Sequence, residues 1–376
     1  MVKKIIKMLL YSILGLIGLL IVTIVLFVNF YPSFGGEVKG ARLERAQESP
    51  NHNGEIFQNE IPVMQDNSIG QYRKILAKML KGNANGTPSK KLPSIQWKEE
   101  QVDALLDTVT TAVWYGHSSF YLKMNGKNIL LDPMFGNYPS PAPGLIGKRF
   151  DYDMPIEISD LPEIDVVVFS HDHYDHLDYE SVLKLKDKTK HFITPLGVGA
   201  HLESWGVKPE KITELYWNES LKIDSIEYRC TPAQHFSGRG TTDRFRTLWS
   251  SWAIKGQHNI YFSGDSGYFD GFKEIGERYG PFDISFMECG QYDELWGDIH
   301  MFPEQTAQAA LDVQSKQMMP IHWGGFKLGN HDWDDPIKRV KKASDSLGVK
   351  LLTPQIGEAI VLGEVPEQYG EWWKLK

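Results

Sequence analysis

The sequence predicts an α/β layered fold, and three observations carry that expectation. Short apolar runs of strand type recur from Thr111 onward. Helical segments separate several of them, which points to strands mixed with helices rather than to a helical bundle. Ahead of this body, Met8–Val28 reads MLLYSILGLIGLLIVTIVLFV, without a charge.

As a helix that first stretch would span ~31 Å, at ~1.5 Å rise per residue, enough to cross a bilayer. Lys3, Lys4 and Lys7 precede it, and the chain runs on as NFYPSFGG with no small-residue cleavage pattern. The expectation is an uncleaved single-pass anchor over 1–30 rather than a signal peptide. The basic flank puts the N-terminus in the cytoplasm and the body outside it, a bias that Lys39, Arg42 and Arg45 reduce. The remaining divisions are an extension and linker over 31–105, a catalytic domain over 106–365 and a tail over 366–376.

Residues 29–70 are rich in Pro, Gly, Asn and Glu and show no sustained period. They read as a linker lying over the body. In QYRKILAKMLKG (Gln71–Gly82), Tyr72, Ile75, Leu76, Met79 and Leu80 share one helical face, with Arg73, Lys74, Lys78 and Lys81 elsewhere. Such a helix packs on the domain or, in the sharper reading, lies on anionic lipid. Strand-like TAVWY, SSFYLKM and NILL follow, split by Gly-containing turns. The Pro-rich 135–147 is a surface loop, of the kind that walls a site. DVVVFS is a strand, then 178–188 a helix; HFITP is a strand, then LGVGAHLESWG. Strands recur at Ile226–Cys230, Leu248–Ile254 and Asn259–Ser263. PFDISFME and MMPIHW flank a helix over 303–314. The double tryptophan Trp372–Trp373 closes a core or sits at a lipid interface.

Composition excludes some functions. A net charge of −8 over 376 residues argues against a nucleic-acid binder that works by overall charge. Cys230 and Cys289 both fall in strand-like runs and read as buried thiols. There is no P-loop, G-x-G-x-x-G or G-x-S-x-G, and SGDSGY (263–268) lacks the nucleophile-elbow spacing.

The chemistry concentrates in FSHDHYDHLD (169–178), directly after the apolar run Val166–Val168. His171, His173, Asp175 and His176 form H-x-H-x-D-H, a set of nitrogen and oxygen donors suited to divalent transition metals. Residues i and i+2 of an extended segment point the same way, so His171 and His173 grip one ion. Asp175 and His176, just past the strand, turn toward a second. Four donors cannot complete two shells. His235, Asp265 and His322 each sit at a strand-to-loop junction and are the candidates to complete them.

The order H-x-H-x-D-H, His, G-D-S-G, I-H-W is similar to that of the metallo-β-lactamase superfamily. More closely, the chain resembles the N-acylphosphatidylethanolamine-hydrolysing phospholipase D family. The matching stretches are WYGHSS, LLDPMF, FSHDHYDHLDYESV, LWSSWAI, FSGDSGYF, GPFDI and residues 299–333, within about Val113–Arg339. The resemblance implies an αββα sandwich with the site at the loop edge of two sheets. It implies one metal on His171, His173 and His235, the other on Asp175, His176 and His322, and Asp265 bridging. It implies substrate contacts from Tyr174 and His300. In the expected chemistry Asp265 and His300 are the catalytic pair, and His300 can donate to a non-bridging oxygen or to the leaving alkoxide. His117 and His331 fall on matching positions without an assigned role. Asp132 would orient a ligand histidine by accepting its free ring N–H. One departure stands out: MECGQYDELWG (287–297) is less apolar than the family pattern, and Glu288 would add negative charge near the site, disfavouring phosphate.

The expected function is therefore a dinuclear-metal phosphodiesterase of phospholipase D type acting on a membrane phospholipid. The sulfur-free ligand set points first to zinc, with manganese or iron as alternatives. Two divalent ions against two carboxylates leave positive charge for an anionic diester. A lactonase or other hydrolase on the same scaffold is the alternative, and a non-catalytic metal-dependent binding protein at the membrane is the alternative from another class.

Overall fold

A computed structural model describes residues 1–63, 69–145, 147–364 and 369–375. Within them the helices are α1 (Val2–Phe30), α2 (Ala41–Gln47), α3 (Ile69–Lys81), α4 (Glu99–Asp103), α5 (Tyr179–Leu185), α6 (Gly199–Ser204), α7 (Gly271–Tyr279), α8 (Pro303–Asp312) and α9 (Asp335–Leu347). The first sheet draws on β1 (Thr111–Trp114), β2 (Phe120–Met124), β3 (Lys127–Leu131), β4 (Ile164–Val168), β5 (Thr189–Pro195) and β6 (Ile212–Leu215). The second holds β7 (Ser220–Ile223), β8 (Ile226–Thr231), β9 (Ser251–Lys255), β10 (Asn259–Phe262), β11 (Ile284–Glu288) and β12 (Met318–Ile321). The chain then returns to the first sheet as β13 (Ala359–Val361). The sheet orders are β13-β1-β2-β3-β4-β5-β6 and β12-β11-β10-β9-β8-β7.

The two sheets face each other because their strands alternate apolar side chains across both faces. From β3 and β4, Ile129, Leu131, Val166 and Val168 join the core shared with Tyr228, Trp252, Ile254, Ile260 and Phe286 of the second sheet. Phe120 stacks on Phe286 with ring centroids 4.2 Å apart, across that interface. The intervening Leu130 and Val167 point the other way, onto Val182 and Leu185 of α5 and Leu202 of α6. Helices α7, α8 and α9 supply Phe272, Ile275, Ala307, Ile337 and Val340 to the core that includes the second sheet. The layers are helix, sheet, sheet, helix.

Strand direction places the site. β3 to β6 run parallel. β10, β11 and β12 are parallel to one another, and β8 joins their direction through antiparallel β9. The residues that leave the C-terminal ends of β4, β8, β10 and β12 are those of the 170s segment, then His235, Asp265 and His322.

α1 is a 29-residue apolar helix with no buried residue, long and apolar enough to cross a membrane. α3 matches the expected amphipathic helix; Leu76 and Leu80 on its apolar stripe are exposed. The side chains of Tyr72 and Met79 lie outside the described ones. The expected linker is partly helical, since α2 docks through Arg42 to Glu203 and Glu214. At the other end Trp373 is buried and Trp372 stacks on Trp323 at 5.2 Å, so the tail's aromatic pair packs into the core. Cys230 and Cys289 are free, buried thiols.

Candidate metal centre

The segment after β4 is shaped by the residue that ends β3. Asp132 leaves its strand with φ 38 and accepts three hydrogen bonds. Ser170 N–H and Oγ–H donate to it at 2.7 and 2.5 Å, and His176 Nδ1 lies 2.7 Å from Oδ2. Its carboxylate thus fixes both the start of the histidine cluster and the ring of His176, leaving Nε2 of that ring facing inward. This is the geometry expected of a carboxylate that orients a ligand histidine.

Two groups of donors converge there, each set of atoms within 4.8 Å of one another: His171, His173, His235 and Asp265; and His117, Asp175, His176 and His322. His173 Nδ1 lies 2.9 Å from His171 Nε2 and 3.2 Å from His235 Nε2. Three imidazoles pointing nitrogens at one another cannot all be satisfied by shared protons, since each neutral ring carries one N–H. Asp265 touches both groups. Its Oδ2 is 3.8 Å from His171 Nε2 and from His235 Nε2, and 3.1 Å from His176 Nε2. Its Oδ1 lies 3.1 Å from His322 Nδ1 yet is buried without a hydrogen-bond partner. Converging nitrogens and an orphaned carboxylate oxygen are the pattern that divalent cations satisfy, and the donors are of the types such ions take.

Electrostatics fit the same reading. Burial, reinforced by neighbouring imidazoles, pushes His171, His235 and His322 well down. Burial lowers His173 to about 4. These rings are neutral and present lone pairs. His176 is the exception: burial opposes its charge, but Asp265, Asp175 and Asp132 outweigh it and raise it. Burial pushes Asp265 up to about 6 while His176 pulls it back. Burial also works against an ionised Asp175, but His176 and His117 together hold its carboxyl well below the usual range.

The residues without a settled sequence role fall on different sides of this centre. His117 is buried, with Nε2 at 2.7 Å from Asp175 Oδ2 and Nδ1 unpartnered. Gly325 permits the fit, because a Cβ there would lie 2.7 Å from His117 Cβ. Ser118 Oγ sits 3.2 Å from His322 Nδ1. The signal for both lay in WYGHSS at the end of β1. His331 lies outside both groups: its Nε2 accepts from Gln291 N–H and its ring stacks on Tyr292. His300 packs beside the centre, stacked on His322 at 5.2 Å and edge-on to His235 at 5.0 Å. Tyr174 donates its hydroxyl to the Arg239 carbonyl, its ring under that residue's guanidinium at 4.0 Å. It lines a cavity of about 140 Å³ with Tyr31, Ser33 and the 136–143 loop. Glu288 does not project charge into the site as the sequence suggested. It is fully buried behind His300, and burial raises its carboxyl well above the ordinary value.

Comparison with known proteins agrees with this architecture. Residues 127–323 match the Beta-lactamase superfamily domain. An uncharacterized protein of Mycobacterium tuberculosis is 37% identical over 336 residues, covering 88% of this chain and 89% of that one. The N-acyl-phosphatidylethanolamine-hydrolyzing phospholipase D 1 of Caenorhabditis elegans is 33% identical over 266 residues, 66% of this chain and 74% of that one. Among solved structures, a metallo hydrolase from the archaeon Ignicoccus hospitalis superposes with TM-score 0.53 at 21% identity, over 69% of this chain and 100% of that one.

Proposed function

The chain belongs to the metallo-β-lactamase superfamily of metal-dependent hydrolases, and from that premise we propose that it is a dinuclear phosphodiesterase of phospholipase D type. Its substrate in this reading is N-acylphosphatidylethanolamine or a related phospholipid, split to phosphatidic acid and an N-acylethanolamine. The observation that carries the dinuclear reading is the position of Asp265, one carboxylate shared by two donor groups. The worm phospholipase at 33% identity supports the substrate class.

His171, His173 and His235 would hold one divalent cation, Asp175, His176 and His322 the other, with Asp265 between; zinc suits this nitrogen–oxygen set, as manganese or iron also would. Bound there, the cations supply Lewis acidity toward a phosphoryl oxygen. The chain's own groups do the rest. Asp132 keeps His176 in one orientation. Water oxygen bonds to phosphorus, the bond from phosphorus to the ethanolamine oxygen breaks, and the proton that the water sheds replaces the one delivered to the leaving group. The leaving alkoxide needs a proton, and His300 beside the centre is placed to give it.

The same reading has α1 as a single-pass anchor with the body outside the cytoplasm, Lys3, Lys4 and Lys7 remaining inside. An enzyme tied to the bilayer meets a lipid substrate in two dimensions. Incubating the full chain in detergent micelles with N-acylphosphatidylethanolamine and, separately, with homoserine lactones tests the proposal by mass spectrometry of the products. N-acylethanolamine is expected, and Asp265→Asn should abolish its release and lower the metal content. Turnover of lactones alone would end the lipid reading.

A further inference from the structure

We propose that Glu288 is the positioning residue for His300: its buried carboxyl engages ring Nδ1 and so leaves Nε2 as the nitrogen that serves the reacting phosphodiester. The inference rests on the phosphodiesterase reading above and adds the partner that the proton donor requires.

Glu288 is the last residue of β11, paired with Ile321 of β12, so it stands one strand away from the exit of His322. Its main chain is held from both sides: its N–H donates to Ser263 Oγ at 2.8 Å, and Thr306 Oγ–H donates to its carbonyl at 2.8 Å. The side chain is 0% exposed. Oε1 lies 3.1 Å from His300 Nδ1, and Oε2 accepts from Met301 N–H at 2.9 Å. Among the described residues the titratable side chain it meets is His300, not a lysine or arginine. Burying a carboxyl group is costly unless it is hydrogen-bonded. Here the carboxyl grips two consecutive residues, His300 and Met301, and sets the loop and the ring together. With Nδ1 engaged, the ring stays stacked on His322 and edge-on to His235, and a nitrogen of His300 lies within 4.8 Å of donor atoms of Asp265 and His322. Glu288 itself reaches no donor of either group. It acts through the imidazole, in the way a carboxylate fixes the tautomer and orientation of a catalytic histidine.

A purely structural role, capping Met301, predicts a different outcome from a positioning role, and leaving-group chemistry separates the two. An alkoxide leaving group needs a proton, and p-nitrophenolate does not. The full chain in detergent micelles is compared with Glu288→Gln, His300→Gln and the double variant, on an alkyl phospholipid diester and on a p-nitrophenyl phosphodiester. Glu288→Gln is isosteric and keeps an acceptor for Met301. It should lower kcat for the alkyl diester at least about tenfold more than for the p-nitrophenyl diester, at unchanged metal content. The double variant should cost no more than His300→Gln alone, as groups that act as a unit are not additive. Equal losses on both diesters, or losses that multiply, would overturn the assignment. Nitrogen NMR of isotope-labelled histidines gives a readout independent of turnover. The His300 ring signal, identified by its loss in His300→Gln, should move in Glu288→Gln. If wild-type protein cleaves neither diester, the phosphodiesterase reading fails by itself. A His300 signal that stays put then sinks the Glu288 pairing as well, and one that moves keeps it.

Discussion

His117 shows how much one side chain can carry without announcing itself. It leaves β1 with φ 54, is fully buried, and sets Nε2 at 2.7 Å from Asp175 Oδ2. A carboxylate oxygen held by a neighbouring N–H keeps its other lone pairs aimed, and loss of such a partner typically lowers metal affinity about 10–100-fold. Under the proposed two-cation centre, His117→Asn should therefore weaken one divalent ion by that order while sparing the other, read by chelator competition on the full chain. Two unchanged affinities would reduce His117 to packing. At this scale the sequence was partly legible. H-x-H-x-D-H declares itself because four donors fall within six residues after an apolar strand. His235, Asp265 and His322 stood out locally only as strand-end residues, and their assignment as ligands came from the half-filled H-x-H-x-D-H set and the family resemblance. The contacts of His117 with Asp175 and of Glu288 with His300 were not legible, because each joins distant strands through tertiary geometry alone. Glu288 misled for that reason: its charge was visible and its burial was not.

Among the elements, the segment after α1 is fastened to the histidine loop by one arginine. Arg239 Nε and Nη2 donate to the Ser33 carbonyl at 2.9 and 2.7 Å. Its Nη1 donates to the carbonyls of Asp172 and Leu177 at 2.6 and 2.8 Å, and the guanidinium covers Tyr174. His201 Nδ1 accepts from Gly36 N–H, and Trp205 Nε1–H donates to the Pro32 carbonyl, tying α6 to the same segment. The apolar helix therefore ends against the loop that carries His171, His173 and Asp175. A planar fork of donors reaches three carbonyls at once; an ammonium cannot. Arg239→Lys should lower the melting temperature, and it should open residues 31–40 to proteolysis before the rest of the chain. Cleavage elsewhere first would show that the strap does not depend on Arg239. The strands and α5 were legible as elements because apolar runs and turn residues bracket them. α9 was not. Its buried residues Pro336, Ile337, Val340 and Ser344 are sparse among lysines and aspartates, so no reading of the sequence assigned a helix that is held by packing against α8. α2 hid in the same way, a short helix inside a Gly- and Pro-rich segment.

For the whole molecule, gathering so many imidazoles in a dry interior ties stability to pH. Nine of the 12 histidines are held below their ordinary value, burial being the largest cause each time. Between the unfolded value near 6.5 and a folded value such as about 4 for His173, the unfolded chain binds more protons than the folded one. Stability then rises with pH across that window and falls as acid is added. Groups whose values are raised act in the opposite direction, among them His176, Asp265, Glu288 and Glu60, the last raised by burial and by Glu274. His176 is raised, so its contribution is lost as pH climbs above the unfolded value. Asp265, pushed up to about 6, and Glu288, also raised, favour the folded state at the acid end. The imidazoles outnumber them, and the net slope from about pH 4 to 6.5 is positive. The metal-free full chain should accordingly melt at steadily lower temperature from pH 6.5 down to 4. Added zinc should steepen that dependence, because cation and proton compete for the same ring nitrogens. Calorimetry of chelator-treated protein across this range checks both statements. A flat profile without metal would mean that the rings are hydrated rather than enclosed. A zinc-loaded profile parallel to the metal-free one would mean that the cation binds away from the cluster.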